Sequence, residues 1–447
     1  MKIVIAGAGS VGSHLAKMLS LESHDIIIMD ESADRLNRVA EEADVITIQG
    51  SSTSLDTLRK AGIDKADLFI AVSPAEEQDV NIVSALLAKK MGAKKVTARI
   101  NNEEYQTSDN KFIFTELGID SLFYPEKIVS KEILNLLKET STSEYMDYSH
   151  GKLQLIAIKL DEDSMLIDQK VNALSNKENL FRTVAINRDD DTIIPKVDTK
   201  YKVDDMVYVI SKKEGITKAM QALGRENVMV NNLMIVGGGR IAEMVAREAE
   251  NTIPNIKIIE YNKKKSLHLS QILNKSLVIN GDCRDADVLI EENVKDMDAF
   301  VAVTGSSEAN IMSCVTAKKM GVPKVIAEVE NFDYIKLAEG MGVDSVINKK
   351  LITAGRIFRF TLSNNIRSIK ILNGTQAEVL EFIVTPDSKI ASSKLADINF
   401  PLDAIIGGVI RGNESFIPND DSIINAYDQV IVFADPKAIN KVDKFFL

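Results

Sequence analysis

The chain has 447 residues, of which 45% are hydrophobic and 27% are charged, and its formal net charge is −11. This length predicts two to four domains, and no apolar run reaches the roughly 20 residues that a membrane-spanning helix needs. The acidic balance argues against a nucleic-acid partner, which requires a basic surface. Two cysteines outside any CxxC pattern argue against a disulfide framework and favour the cytoplasm, and the first residues lack the pattern of a signal peptide.

The first predicted strand, KIVIAG, runs directly into Gly7-x-Gly9-x-x-Gly12, and helix-forming residues follow. A strand, a tight glycine turn and a helix N-terminus in this order are typical of the phosphate-binding start of a dinucleotide fold. The next strand, DIIIMD, ends at Asp30, where a carboxylate accepts hydrogen bonds from ribose hydroxyls. Because this carboxylate would repel a 2′-phosphate, NAD(H) is favoured over NADP(H).

Four further strands are predicted before residue 126, namely VITIQG, LFIAVS, KVTARI and SLFYP. Their apolar runs lack clean alternation, which indicates strands buried on both faces of a parallel, doubly wound sheet. Ligands of such sheets bind outside the carboxyl ends of the strands. The predicted residues of this first site, called site one below, are Gly7, Ala8, Gly9, Ser10, Val11, Gly12, Asp30, Ser51, Ser73, Pro74 and Arg99.

Arg99 ends the fifth strand and allows two interpretations. A guanidinium there can bind a phosphate group in two-pronged fashion. The same side chain can also form an ion pair with a neighbouring acid.

The segment PEKIVSKEILNLLKETSTSEY, 125–145, is predicted to be a helix that joins two parts of the chain. Its apolar stripe consists of Ile128, Val129, Ile133, Leu136 and Leu137, and it fits either packing against its own domain or a surface for a partner. Short strands with turn signals follow, which predicts a small α+β module with an antiparallel sheet at about 150–213.

The chain then repeats itself. Gly237 follows Gly7 by 230 positions, Glu260 follows Asp30 by the same interval, and AKKMGVPKVIAEV follows AKKMGAKKVTARI by 229 positions. A nearly constant offset over more than 200 residues indicates a duplicated unit with small loop insertions. A second small module is therefore predicted at about 374–447.

The second glycine loop differs from the first, since Ala242 stands where the third glycine would be. Alanine is tolerated there, although its methyl group can push the helix slightly outward. Glu328 replaces Arg99, so the two pockets should differ in affinity or in ligand. The predicted residues of site two are Gly237, Gly238, Gly239, Arg240, Ile241, Glu260 and Asp282.

A catalytic centre is not evident. A dehydrogenase needs a proton donor beside the nicotinamide and a domain that encloses the substrate, and each small module is too short for the second task. The pattern favours a non-catalytic sensor whose domain arrangement responds to the bound nucleotide. An NAD-dependent oxidoreductase is the alternative, whereas a transcription regulator would need a basic recognition helix.

The order glycine loop, MD, QGSS, LRKAGIDKADLFIAVS, AKKMGAKKVTARI, small module, and then the whole order again, resembles the TrkA family of regulatory subunits. The resemblance extends over essentially the whole chain. It departs in SPAEEQDVNIVSALLAKKMG, which carries about two extra residues before Asn81 compared with TGSSEANIMSCVTAKKMG.

The resemblance implies tandem RCK (KTN) domains: RCK-N at 1–135, a linker helix with RCK-C at 136–222, a second RCK-N at 229–350, and a second linker helix with RCK-C at 351–447. It also implies NAD(H) at site one and NAD(H) or ATP/ADP at site two. The implied assembly is a homo-oligomeric ring, a dimer or tetramer. The ring would dock on a TrkH-type membrane subunit for potassium uptake, at the cytoplasmic face of the plasma membrane.

Overall fold

The computed structural model describes residues 1–20, 24–138, 140, 142–149, 151–162, 164–171, 179–189, 191–224, 229–358, 366–371 and 377–447. Within these ranges, no helix has the length and apolar character to cross a bilayer.

The first sheet contains six parallel strands in the spatial order β3-β2-β1-β4-β5-β6. The strands are β1 (Lys2–Ala6), β2 (Asp25–Asp30), β3 (Ile46–Gln49), β4 (Leu68–Ala71), β5 (Lys95–Arg99) and β6 (Ser121–Phe123). The helices of this part are α1 (Ser10–Ser20), α2 (Ala33–Glu42), α3 (Leu55–Lys60), α4 (Gln78–Lys90), α5 (Ser108–Glu116) and α6 (Pro125–Lys138). Reversal of strand order at β1 and β4 leaves a crevice at their carboxyl ends, which is where such folds bind ligands.

The second parallel sheet repeats this topology, in the order β14-β13-β12-β15-β16-β17. Its strands are β12 (Asn232–Val236), β13 (Asn255–Glu260), β14 (Leu277–Asn280), β15 (Ala299–Ala302), β16 (Lys324–Glu328) and β17 (Ser345–Ile347). Its helices are α8 (Arg240–Ala249), α9 (Lys263–Ile272), α10 (Ala286–Glu291), α11 (Ser307–Lys319), α12 (Asp333–Gly340) and α13 (Lys349–Phe358).

Each parallel sheet is followed by a small antiparallel sheet. The first contains β7 (Glu144–Tyr148), β8 (Leu153–Lys159), β9 (Phe181–Arg188), β10 (Asp191–Ile193) and β11 (Met206–Lys212), followed by α7 (Ile216–Ala222). The second contains β18 (Ile366–Ile371), β19 (Glu378–Ile383), β21 (Ala404–Arg411), β22 (Glu414–Phe416) and β24 (Gln429–Ala434), followed by α14 (Pro436–Phe446); β20 (Ser393–Lys394) pairs separately with β23 (Ile423–Ile424). These sheets confirm the predicted fold class of two Rossmann-like domains that each precede a small α+β domain.

The two small sheets share one hydrophobic core. Leu153, Val184 and Tyr208 of the first sheet pack in the same buried cluster as Val379 and Phe433 of the second. A hydrogen bond also joins the two modules, since the Arg182 guanidinium donates to the carbonyl oxygen of Pro418 at 3.1 Å. The paired modules therefore form one continuous structure.

The first linker helix, α6, is shorter than the predicted helix at 125–145. The helix α6 ends at Lys138, whereas Glu144 and Tyr145, predicted to be helical, begin strand β7; Glu139 and Ser141 lie outside the described residues. The first antiparallel sheet therefore begins before residue 150. The second begins at Ile366, before residue 374. Along α6 the predicted stripe is buried at Val129, Ile133, Leu136 and Leu137, and Ile128 is partly exposed.

The chain forms two compact units that do not coincide with its two halves. The first unit contains Met1–Ile128 together with a segment that begins at Lys349, so α13 of the second half packs against α1 of the first. The second unit contains Val129–Asn348 and the remainder of the chain. Within it, Ser345 Oγ donates to the carbonyl oxygen of Ser143, just after α6, at 2.7 Å. The predicted limits at 135/136 and 350/351 fall inside α6 and α13 and stay predictions.

Candidate functional site

The first glycine loop requires glycine at two positions for reasons internal to the fold. Gly7 has φ +110° and donates its N–H to the carbonyl oxygen of Met29 at 2.8 Å. A Cβ atom at Gly7 would lie 2.8 Å from the backbone nitrogen of Ser73, and one at Gly12 would lie 1.9 Å from the carbonyl oxygen of Gly7. Both glycines therefore allow the close approach of β1, α1 and β4.

Gly9 is different, because it is surrounded by open space. A Cβ atom built there would meet no other atom within 4 Å. Ser13 closes the first turn of α1 by donating its N–H to the Gly9 carbonyl oxygen at 2.9 Å, and its hydroxyl donates to the Ala8 carbonyl oxygen at 3.0 Å. The space in front of Gly9 and the N-terminus of α1 is thus available to a phosphate group.

Asp30 is held against the glycine loop. Its Oδ2 accepts the N–H of Ala8 at 2.7 Å, and its Oδ1 accepts the N–H of Ser32 at 2.8 Å. Arg35 lies next to it, with 3.6 Å between Nη1 and Asp30 Oδ2. The carboxylate is therefore fixed at the end of β2, where a ribose would lie in a dinucleotide fold.

The loop after β4 is held by an asparagine that the sequence analysis did not assign to the site. Asn81 is 1% exposed; its Oδ1 accepts the N–H of Ser73 at 2.9 Å, and its Nδ2 donates to the Ser73 carbonyl oxygen. Asn310 makes the same pair of hydrogen bonds to Thr304 in the second half. Asn81 follows Ser73 by eight positions, whereas Asn310 follows Thr304 by six, which agrees with the two extra residues expected before Asn81.

Arg99 forms an ion pair, which was one of its two interpretations. Its Nη2 lies 3.2 Å from Glu126 Oε1, and the two side chains are 11% and 10% exposed. Arg99 Nε is buried and has no hydrogen-bond partner among the described residues.

Ser51, after β3, pairs its hydroxyl with that of Thr53 at 3.0 Å. Neither Arg99 nor Ser51 lines the cavity described next.

A cavity of about 600 Å³ opens at the first glycine loop. Of the predicted site-one residues, Ala8, Gly9, Ser10 and Pro74 line it, whereas Asp30 and Ser73 do not. The other walls include three basic residues that sequence reasoning missed and one acid, which are Arg35, Arg38, Lys350 and Glu42. The spacing of Arg35 from Asp30 on the following helix was a usable signal. No sequence signal pointed to Lys350, because it lies 338 positions after Gly12, far outside the segment that carries the motif.

Site two repeats the turn with different side chains. Gly237 has φ +104°, and its Cβ position lies 2.7 Å from the carbonyl oxygen of Val303. Glu260 Oε2 accepts the N–H of Gly238, and a Cβ atom at Gly238 would lie 2.7 Å from Glu260 Cγ. The longer acid therefore occupies the space that the methyl group of Ala8 fills in site one.

The remaining site-two residues lie around this loop. Arg240 and Ile241 begin α8, and Ala242 is fully buried. As at Gly9, a Cβ atom at Gly239 would meet nothing within 4 Å. Asp282 forms an ion pair with Arg284 at 2.6 Å, and the hydrogen bond from that guanidinium lowers the pKa of Asp282.

Comparison with protein families identifies four matching segments. The TrkA-N domain model matches residues 3–125 and 233–349, and the TrkA-C domain model matches residues 155–224 and 379–447. The matches alternate along the chain, in agreement with the duplication inferred from the offsets.

Relatives and solved structures agree with this result. The chain is 32% identical over 456 residues to the Trk system potassium uptake protein TrkA homolog 1 of Methanosarcina mazei, which covers 100% of both chains. It is 33% identical over 453 residues to the Trk system potassium uptake protein TrkA of Halomonas elongata, with 100% and 98% coverage.

Among solved structures, the GsuK RCK domain matches with a TM-score of 0.62 at 15% identity, covering 100% of this chain and 94% of that chain. The GsuK channel bound to NAD matches with a TM-score of 0.63 at 15% identity, covering 100% and 78%. At this level of identity the structures support the fold alone. The domain matches and full-length relatives together establish that the chain belongs to the TrkA family.

Proposed function

We propose that the protein is a nucleotide-sensing regulatory subunit of a potassium-uptake system. The observation that carries this proposal is the cavity at the first glycine loop, where an open Gly9 and the N-terminus of α1 meet three basic side chains. This arrangement suits the phosphate groups of a nucleotide. The names of the full-length relatives supply the link to potassium uptake.

Site one is proposed to bind NAD(H). Asp30 lies at the end of β2, hydrogen-bonded to the loop through Ala8, and its carboxylate can accept a ribose hydroxyl. Site two is proposed to bind NAD(H) or ATP/ADP, since Glu260 retains the acid while Arg240 adds a cation at the start of α8. The NAD bound by the GsuK channel, a neighbour in fold, is compatible with this assignment.

The proposed partner is a membrane potassium transporter subunit of the TrkH type. The protein would bind it as a homo-oligomeric ring, a dimer or a tetramer, at the cytoplasmic face of the plasma membrane. Nucleotide binding would shift the population of two ring conformations, and the transporter would respond to that shift.

The proposed role is non-catalytic. Steady oxidation of NADH by the purified protein with a panel of ketones or quinones would favour the oxidoreductase alternative. Turnover indistinguishable from a protein-free control would support a sensor.

Titration calorimetry of the full chain with NADH tests the binding proposal. Asp30→Ala should weaken binding at site one by about 1–3 kcal/mol, because it removes the acceptor for the ribose hydroxyls. Gly9→Val should abolish binding at site one, since the added side chain enters the ligand space, and should leave site two intact. Unchanged affinity in both variants would contradict the proposed nucleotide site.

Normal potassium uptake after deletion of the gene, in low-potassium medium, would contradict the regulatory role.

A further inference from the structure

Site one contains a residue from the distant second half of the chain. The helix α13 begins at Lys349, directly after strand β17, yet it packs against α1 within the first compact unit. The second residue of this helix, Lys350, lines the cavity in front of Ala8, Gly9 and Ser10. The start of α1 and the start of α13, which are more than 300 positions apart in the sequence, therefore line the same cavity.

The charges around the cavity favour an anionic ligand. Arg35, Arg38 and Lys350 supply three positive charges, against one carboxylate from Glu42. Part of the basic charge is already engaged, since Arg35 lies 3.6 Å from Asp30. Glu42 is partly balanced by Lys17, at 3.7 Å. A lysine carries a compact charge on a flexible stem, and such a group can bind a phosphate oxygen as a point charge.

The electrostatic influence of Lys350 extends to α1. Burial is the main cause that lowers the pKa of His14 to about 4, and the positive charge of Lys350 is the next. His14 lies one turn after Ser10, so the ammonium group of Lys350 acts on the N-terminal part of α1. The N-terminus of a helix is the end that attracts a phosphate group, because its N–H groups are free and its dipole is positive there.

The repeat provides a natural contrast at this position. In the preceding linker helix, α6, the second residue is Glu126, which lies 224 positions before Lys350 and forms the ion pair with Arg99. The duplicated linker helices therefore carry opposite charges at the same place. The charge at the end of the fifth strand is reversed as well, since Glu328 replaces Arg99, so the two repeats differ in sign at both positions.

We propose that Lys350 contacts the phosphate groups of the nucleotide bound at site one and thereby couples the occupancy of that site to helix α13. This inference rests on the proposed nucleotide binding. The ligand chemistry is a chain of two or more phosphates, as in a nucleoside triphosphate or in the pyrophosphate of a dinucleotide. Binding would hold α13 more firmly against α1.

Calorimetric titration of the full chain with ATP and with NADH tests the proposal. A Gly239→Val background, in which the added side chain enters the ligand space of site two, isolates site one. Lys350→Gln should weaken binding about tenfold, because a charge-assisted contact is lost. Lys350→Glu, which introduces the charge of Glu126, should weaken it further. Lys349→Gln is the matched control: Lys349 precedes Lys350 on the same helix, does not line the cavity, and should leave affinity unchanged.

The two ligands distinguish the sources of the phosphate. A loss confined to ATP would place Lys350 at the terminal phosphates, and an equal loss for NADH would place it at the pyrophosphate. Lys350→Arg keeps the charge and should bind nearly as tightly as the parent chain. If arginine and glutamate weaken binding equally, or if Lys350→Gln binds unchanged, the contact is refuted. A parent chain that binds neither nucleotide would instead refute the proposed function.

Hydrogen exchange supplies a second readout that affinity alone does not give. The amides of α13 should exchange more slowly when nucleotide is added to the parent chain, and this protection should be lost in Lys350→Gln at saturating ligand. Equal exchange with and without nucleotide in the parent chain would overturn the coupling to α13.

Discussion

The two glycine loops each pack against the acid at the end of the second strand, but they do so with different pairs of residues. In site one, Ala8 is combined with Asp30, and in site two, Gly238 is combined with Glu260. Each acid accepts the loop N–H, but the extra methylene of the glutamate takes the space of the alanine methyl group. The comparison teaches that the acid at the end of the second strand and the middle of the glycine loop form one unit, and that this unit changes as a pair.

The halves differ more strongly at the end of the fifth strand, and this gives the largest expected effect. Glu126→Ala should lower the free energy of unfolding by about 4 kcal/mol, because Arg99 is left buried without its partner. Urea denaturation measures this change. The control is Arg99→Met combined with Glu126→Leu, which removes both charges and should recover most of the loss. A double variant as unstable as Glu126→Ala would show that packing, rather than charge, is responsible.

Gly12 and Ala242 occupy equivalent positions, and exchanging them sharpens the comparison. Gly12→Ala should lower the free energy of unfolding by about 3 kcal/mol, because the new Cβ would lie 1.9 Å from the Gly7 carbonyl oxygen and the backbone must shift. Ala242→Gly, the reverse exchange in a buried helix position, should cost about 1 kcal/mol. Equal thermal shifts in the two variants would contradict the steric difference between the loops.

A third contrast depends on pH, since Met244 stands where the first half has His14. Burial, with the charges of Lys350 and Lys17, lowers the pKa of His14 from 6.5 to about 4. The unfolded chain therefore binds more protons between these values, so stability rises with pH across this window and falls on acidification. His14→Met should remove about 2 kcal/mol of destabilisation at pH 5 and change little at pH 7.5.

Urea denaturation of both proteins at the two pH values checks the sign as well as the size. His24→Gln is the control, because burial is also the main cause that lowers its pKa, although it lies outside α1. A pH dependence that survives in His14→Met would assign the acid sensitivity to other groups.

The smallest expected effect tests the pairing of loop and acid directly. Gly238→Ala should cost about 1 kcal/mol of stability, because its methyl group meets the flexible Glu260 side chain rather than backbone. Adding Glu260→Asp recreates the pair found in site one and should recover the loss. Thermal unfolding of the single and double variants forms a mutant cycle, and strictly additive effects would show that the two positions are independent.

Local sequence signals predicted most of the fold. The strands of each parallel sheet follow from apolar runs, and the turn at Gly7 follows from the motif that surrounds it. The expected burial on both faces was wrong for β3 and β14, which lie at the edges of their sheets and leave Ile46 and Leu277 exposed. The end of α6 was harder to predict, because Glu144 and Tyr145 are compatible with a continued helix and become a strand only through the pairing of β7 with β8.

The candidate site was only partly predictable. Asn81, whose side chain holds the loop at Ser73, was not assigned to the site, although the repeat offered a signal by keeping an asparagine, Asn310, 229 positions later. Lys350 was overlooked for a different reason. A motif points only to residues near it in the sequence, and Lys350 lies in the other half of the chain. The packing of α13 on α1 is a tertiary fact that no local pattern encodes.

The packing of α13 against α1 makes the first half of this chain structurally dependent on the second. A fragment cut after α7 would retain every strand of its own parallel sheet, yet it would expose the surface of α1 that α13 covers. Because both repeats lie in one chain, α13 is available to α1 at every protein concentration, which a contact between separate molecules could not ensure.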